Sequence, residues 1–411
     1  MDNEEEIQIQ NKKDEKIFLN GFAILLLIVG VLVMLLFYNK IGKLYTIASA
    51  TSEIDMGATG QIGDFIAGVV GTLFALSGTL LIYMSFKEQN SQNKREAFES
   101  SFFEMVRLQR QNVSELKYSK FKINDVEISE NRKVFKIIFD EFNECYREVS
   151  KFFRFTNDII DPLYINKLTT IKDRINPNIN LKEMAIIDIS YSIVFFGISS
   201  EGEKVLRFRF KDKYILTEIL QLIEYIKLKP KENNEVRFLN WSYIKGLSVR
   251  SQRDIIFDLY NYKRNSGNQM TLNQQELEYL SHSNYEKYYG GHQFRLGHYF
   301  RHLFQTYKYL HFNENINSKE KYFYGKTLRA QLSTYEQALL FINSISTLGM
   351  KWEFTPDIEN PSRYTQHELK IEQNRRHIIT HYNLIKNLPG EKMFGFRYKS
   401  YYPLIKYESE E

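Results

Sequence analysis

Residues 18–38 read FLNGFAILLLIVGVLVMLLFY, and this stretch decides the fold. It is 21 residues without a charge, dominated by Leu, Ile and Val. At about 1.5 Å per residue, a helix of this length crosses a hydrocarbon core of roughly 30 Å. A cleaved signal peptide has a shorter apolar run and a small-residue cleavage site, whereas this run ends in Phe37-Tyr38-Asn39-Lys40. The segment therefore reads as a spanning helix that stays in the mature chain.

A second charge-free stretch, 65–86, is 22 residues long, although Gly, Ala, Ser and Thr dilute its apolar character. Within it Ala67, Gly71, Ala75 and Thr79 recur every fourth residue, a ridge of small side chains that lets another helix approach closely in lipid. Two readings of the ridge stay open: packing against the first span, or self-association into a homo-oligomer. Lys12, Lys13 and Lys16 precede the first span and Lys87, Lys94 and Arg95 follow the second, while the connecting loop holds Lys40, Lys43, Glu53, Asp55 and Asp64. Positive charge concentrates on the cytoplasmic side of membrane proteins, which places both termini there and makes the lipid bilayer the first partner. Asp64, at the outer edge of the second span, reads more readily as an interfacial cap than as an ion-conducting group.

The rest of the 411-residue chain supports one large soluble body. A composition 43% hydrophobic and 15% aromatic excludes a disordered chain, and only 7 Pro and 20 Gly argue against a turn-rich β sandwich. The net charge of +5 gives no separate argument for nucleic acid. Cys145, the single cysteine, can form neither an intrachain disulfide nor a cysteine-rich metal site and reads as a buried thiol. Beyond the second span, Phe98, Phe102, Met105, Val106, Val113 and Leu116 mark the face of a juxtamembrane helix over 87–116. Helical spacing recurs over 131–160, 181–197 and 203–228, punctuated by Asp161-Pro162, Asn176-Pro177-Asn178 and Ser199-Ser200-Glu201-Gly202. The stretch 229–290 is more polar, with loops expected at Lys229-Pro230 and Asn265-Ser266-Gly267-Asn268. FRLGHYFRHLFQTYKYLHF (294–312) and YFYGKTLRAQLSTYEQALLFINSIS (322–346) read as a helical pair at the centre of the fold. The expected architecture is mostly α: a tail over 1–17, a two-helix transmembrane hairpin over 18–86, the juxtamembrane helix, and a helical cytoplasmic domain over 117–411.

Searches for common catalytic signatures come back empty: no phosphate loop, dinucleotide turn, nucleophile elbow, His-Glu-x-x-His or kinase set. Gly290-Gly291 reads as a turn. His298 and His302, four apart, share a helix face, but no third ligand stands near and no metal or cofactor is assigned. Arg301 and Arg329 read as partly buried cations bonded to carboxylates such as Glu336 or to carbonyls. With His298 and His302 they also form a candidate anion or nucleotide pocket.

The phrases Gly63-Asp64-Phe65, Phe102-Phe103-Glu104 with Arg107-Leu108, Leu296-Gly297-His298-Tyr299-Phe300-Arg301, Leu328-Arg329-Ala330-Gln331-Leu332-Ser333 and Tyr382-Asn383-Leu384-Ile385-Lys386-Asn387-Leu388-Pro389 run through most of the chain. Together they resemble the putative phage abortive infection protein family, described as AbiC-like. The resemblance implies bacterial defence in which an infected cell stops growing or dies before virus is released, and hence a multi-pass protein of the bacterial inner (cytoplasmic) membrane. It supplies no catalytic residues. Arg376-His377-Ile378-Ile379-Thr380-His381 separately fits the arginine, polar residue, three spacers, histidine pattern of HEPN ribonucleases. There His381 would act as general acid or base and Arg376 would hold the scissile phosphate. Three functions follow as expectations: a sensor of an unidentified phage or host trigger acting through the membrane hairpin, a membrane-tethered nuclease with RNA as its partner, and a non-enzymatic scaffold.

Overall fold

In the computed structural model the apolar runs near the N-terminus become long helices. The structure describes residues 2–44, 56–122, 125–156, 158–264, 285–355, 360–389 and 395–408. The loop charges Glu53 and Asp55 and the expected loop Asn265–Asn268 lie outside the described residues. The chain divides into two compact units, Met1–Ser101 with Glu314–Asn317, and Phe102–Asn313 with Ser318–Glu411.

In the first unit α1 (Asp2–Leu44) is followed by α2 (Met56–Phe65), a π-helical turn (Ile66–Gly71) and the start of α3 (Thr72–Ser114), whose residues from Phe102 on belong to the second unit. Two segments, Lys13–Ile41 and Thr59–Ser114, are long and apolar enough to cross a membrane by length and composition. They run antiparallel. Lys16 pairs with Glu88 and Lys87 with Glu15, each at 2.8 Å, at one end, and Phe37 stacks on Phe65 with ring centroids 4.0 Å apart at the other. Between these ends the buried Ser77 donates its hydroxyl to the carbonyl of Ala23 at 2.8 Å. Gly30 lies so close to Phe74 that an added Cβ would be 2.6 Å from the ring. Leu25, Ile28, Leu32, Leu35, Ile82 and Phe86 remain exposed.

The small-residue ridge does not make this contact. Ala67, Ala75 and Thr79 are exposed and Gly71 is half-buried, while Val70 and Ser77 are the buried positions. The positions most fully covered within the first unit are thus Val70 and Ser77 rather than Ala67, Ala75 and Thr79, and the two readings of the ridge both stay open. The π turn, with its wider i to i+5 hydrogen bonding, also interrupts the fourth-residue register between Ala67 and Gly71. Asp64 is exposed near the end of α2.

The second unit adds what the helical periodicity does not announce, an antiparallel hairpin of β1 (Lys117–Phe121) and β2 (Val126–Glu130) with Lys117 opposite Glu130. Its signal is the alternation in Val126-Glu-Ile-Ser-Glu130, a period of two. Next come α4 (Lys133–Phe152), α5 (Pro162–Ile175), α6 (Leu181–Phe196), α7 (Ser200–Phe210), α8 (Leu216–Lys227), α9 (Glu235–Gly246) and α10 (Val249–Arg264). The unit closes with α11 (Gln293–His311), α12 (Ser318–Arg329), α13 (Thr334–Ile345), α14 (Gln366–Arg375), α15 (Ile378–Tyr382) and α16 (Tyr398–Tyr401).

The centre is α6, where every residue from Met184 to Phe195 is buried, packed against α4 and α13. A helix buried on all sides belongs in the middle of a core, so α6 joins α13, the later part of the pair expected at 294–346, at the centre. Three expected helices are also shorter than their apolar periodicity suggests. The first, over 131–160, stops at Phe152, and Asp161 then caps α5 by accepting from the Leu163 amide at 2.9 Å, with Pro162 in the first turn. The stretch 203–228 is two helices, α7 and α8. The stretch 322–346 breaks at Ser333, whose hydroxyl accepts from the Glu336 amide while the Glu336 carboxylate accepts from the Ser333 amide, a capping box that starts α13.

Candidate functional site

Helix α11 has three differently occupied sides. Leu296, Tyr299, Leu303, Tyr307 and Leu310 enter the core. Phe294, His298, Arg301, Gln305 and Lys308, spaced at three and four residues, line a cleft of about 760 Å³. Its far wall includes Phe196, Asn343, Gly349, Lys351 and the buried Trp352, and Phe304 packs edge-on against Trp352 at 5.0 Å. No Asp or Glu is among the described residues lining this cleft. On the third side His302 Nδ1 lies 2.9 Å from Gln109 Oε1 on α3, and burial lowers the pKa of His302. The same end of α3 sets Phe102 and Phe103 against Tyr324 of α12, with ring centroids 5.3 and 6.2 Å apart.

A largely buried polar network holds the start of α11 in place. Glu141, Glu144 and Glu148 recur at helical spacing on α4. Lys229, 1% exposed, sits 2.7 Å from Glu144 Oε1 and 2.9 Å from Glu148 Oε1. Tyr288 donates to Glu144 at 2.7 Å and Tyr289 to Glu148 at 2.8 Å. Burial pushes both carboxyls up. At Glu148 burial wins and the pKa is raised, whereas at the less enclosed Glu144 the charge and hydrogen bonds of Lys229 and Tyr288 outweigh it and the pKa is lowered. Glu141 accepts from Tyr118 at 2.5 Å and lies 2.7 Å from His292 Nε2. Gly290-Gly291 forms no turn but irregular backbone leading into α11, and the glycine at Gly291 is required by close approach: it has φ +90° and an added Cβ would meet the Phe196 carbonyl at 2.7 Å. The His292 amide then bonds to the Phe195 carbonyl at 2.8 Å, tying α11 to the central helix. Cys145 is buried as expected, its thiol pKa pushed up by burial.

The four residues of the expected anion pocket separate. His298 and Arg301 line the cleft, but His302 turns to α3 and Arg329 is buried, donating to the carbonyls of Tyr382 at 2.9 Å and Asn383 at 3.3 Å. Arg329 thus meets carbonyls, as one reading of it has it, whereas the buried Glu336 is met by Tyr299 OH at 2.8 Å and by Arg132 at 3.8 Å. Arg376 falls in the break between α14 and α15, so it and His381 do not share a helix. Its guanidinium lies 4.7 Å from the Phe312 ring centre and its Nε 3.6 Å from Glu372 Oε2, with only 12% of the side chain exposed. His381 is exposed, its ring edge-on to His311 at 5.1 Å. Both residues therefore reach the C-terminal end of α11. Glu353 lies 3.0 Å from His377 Nδ1 and accepts from the amides of Ile379 and Thr380.

Sequence reasoning misses Gln305, Lys308 and Lys351. The first two were signalled by the polar period of α11, outside its apolar stripe; Lys351 arrives from a distant turn and carries no local signal. It also misses the acidic row of α4, visible as Glu141, Glu144 and Glu148 within an apolar helix.

Residues 291–360 match the model of a family described as putative phage abortive infection protein. No curated protein and no solved structure matches the chain. The matched segment begins at Gly291, and among the described residues it supplies all that line the cleft except Phe195 and Phe196.

Proposed function

We propose, from the match of residues 291–360 to the phage abortive infection family model, that the protein is a membrane-anchored bacterial defence protein that binds an infection signal in the α11 cleft and acts through its N-terminal hairpin. The observation that carries this reading is the coincidence of the matched segment with the cleft. Arg301 faces the cleft and the next residue, His302, faces Gln109 of α3, so a ligand that shifts α11 bears on α3 directly. Helix α3 runs unbroken from Ser114 back to Thr72, within the apolar segment. The hairpin lies in the bacterial inner membrane with the soluble unit in the cytoplasm. There the exposed small faces of Ala67, Ala75 and Thr79 meet a second copy, and assembly compromises the membrane.

Gly71→Leu tests it. An added Cβ at Gly71 meets nothing nearer than the Ile66 carbonyl at 3.6 Å, so the hairpin itself tolerates a side chain there. Infected cells carrying the variant are expected to lose protection and to keep their membrane potential, at normal protein level. Protection that persists without depolarisation overturns the reading.

The meeting of Arg376 and His381 at the end of α11 favours a second reading, a membrane-tethered ribonuclease with His381 as general acid or base. Against it, Arg376 has little surface to offer a phosphate and faces Glu372. Degraded RNA in infected cells that becomes intact in His381→Ala would support the nuclease; intact RNA in the wild type removes it.

A further inference from the structure

We infer that a second cleft, between α4, α8 and the end of α9, binds a small zwitterion of the amino-acid type, its ammonium taken by the amide oxygen of Asn143 with Asp140 and its carboxylate by Arg147 with the Tyr225 hydroxyl. This cleft shares no lining residue with the α11 cleft, and the inference stands apart from the reading of that one.

The cleft has a volume of about 500 Å³, within the usual range for small-ligand sites. Two of its lining side chains carry polar atoms that the fold leaves unpaired. Asn143, 7% exposed, has its Oδ1 buried without a hydrogen-bond partner, and the hydroxyl of Tyr225, 1% exposed, has none either. A buried polar group left unpaired is costly and uncommon, so two of them in one cleft point to something that fills it. The amide oxygen asks for a donor and the phenol has a proton to give. The Tyr225 ring is fixed, stacked on Phe152 with centroids 5.3 Å apart and set against Trp241 at 5.0 Å, which holds its hydroxyl in place.

The charges around these two atoms are of both signs. Several already have partners: Glu144 and Glu148 hold Lys229, and Lys151 donates to the Lys245 carbonyl at 2.6 Å. What remains is Asp140, Arg147 and the side chain of Lys245, all exposed and none in an ion pair among the described residues. Asp140 feels the charges of Lys136 and Lys120 without pairing with either. Asp140 and Arg147 are seven residues apart, about 10 Å along α4, too far to pair with each other. A long helical side chain reaches back over the turn before its own Cα, which brings the guanidinium of Arg147 toward Asn143, and its paired N–H donors match a carboxylate. Other ligand classes fit less well. Among the described residues no group of three His, Cys, Asp or Glu is placed to hold a metal ion. The only ring among the described lining residues is that of Tyr225, already packed on both Phe152 and Trp241, so neither a lipid tail nor a nucleobase finds an apolar wall. A ligand that is small, polar throughout and charged at both ends is what the lining matches.

The test is equilibrium binding to the full chain in detergent micelles, with the proteinogenic amino acids, β-alanine and γ-aminobutyrate as probes and with ethylamine and propionate, which keep one charge each, beside them. At least one amino acid is expected to bind, and to bind more tightly than both single-charge compounds. Arg147→Ala and Asp140→Asn, both at exposed positions, should each weaken that amino acid roughly tenfold while the melting temperature stays at the wild-type value. Tyr225→Phe removes only the unpaired hydroxyl; it should weaken binding several-fold and cost no stability. An amino acid whose binding is indifferent to all three substitutions is held elsewhere and overturns the inference. Ethylamine or propionate binding as tightly as the amino acid overturns it as well, since one charge then suffices. If every probe fails to bind at millimolar concentration, water fills the cleft and the inference falls.

Discussion

The hairpin and the second unit solve the burial problem in opposite ways. The hairpin joins its helices through small groups, Ala23, Gly30 and Ser77, and leaves Leu25, Ile28, Leu32 and Leu35 facing outward. Its ion pairs at Lys16–Glu88 and Lys87–Glu15 are half exposed and each contributes little. The second unit encloses an apolar helix, α6, and pairs its buried charges within the core, Lys229 between Glu144 and Glu148. An apolar surface as continuous as that of the hairpin asks for another apolar medium, whereas the second unit supplies its own. Stability should therefore respond to substitution inside the second unit and to surroundings in the hairpin.

The sharpest way to break that contrast is Lys229→Met. It leaves the buried Glu148 and the partly exposed Glu144 without their shared cation, and a loss of about 3–5 kcal/mol is expected in denaturant unfolding of the full chain in detergent. Adding Glu148→Gln should recover part of the loss. A change under 1 kcal/mol would mean the network contributes little.

Gly30→Leu comes next. The side chain must displace Phe74, and overpacking of this kind costs about 1–3 kcal/mol. Crosslinking between cysteines placed at Lys16 and Glu88 should fall in Gly30→Leu and stay unchanged in Gly71→Leu; equal effects would merge the two faces of the hairpin into one.

Acid should act on the second unit. Burial raises the Glu203 pKa, but Lys227 at 2.8 Å and Arg207 at 2.5 Å outweigh it and the pKa ends lowered. A carboxyl with a depressed folded pKa stabilises above its unfolded value and loses that contribution as pH falls toward the folded one. The melting temperature should drop more steeply on acidification through the carboxylate range in the wild type than in Glu203→Gln.

The smallest effect belongs to His302. Its pKa is lowered by burial, so the unfolded chain takes up a proton first and stability declines as pH falls below the ordinary histidine value. His302→Gln should flatten the curve between about pH 6.5 and 5; an unchanged slope there removes the contribution.

What was legible in the chain followed the strength of its periodicity. Charge-free length in 18–38 announced the first long helix, and Asp161-Pro162 announced a helix start. Ser333 and Glu336 spelled a capping box in plain view, yet the apolar stripe through Leu332 and Leu339 overrode it and merged two helices. The small-residue ridge gave a true pattern and an ambiguous partner, because spacing specifies a face and not what covers it. The same limit split the anion pocket: His298 and His302 share a helix side by spacing, but α3 claims one and the cleft takes the other. Lys229 and Lys351, brought in from far along the chain, could be placed only by the tertiary fold.

The central claim is that the cleft drives the hairpin, and membrane potential during infection tests it most directly. Cells carrying the wild type should depolarise after phage addition. Cells carrying Arg301→Glu, at the same level in the membrane fraction, should hold their potential and release phage. Depolarisation of the Arg301→Glu cells on the same time course as the wild type would contradict the account.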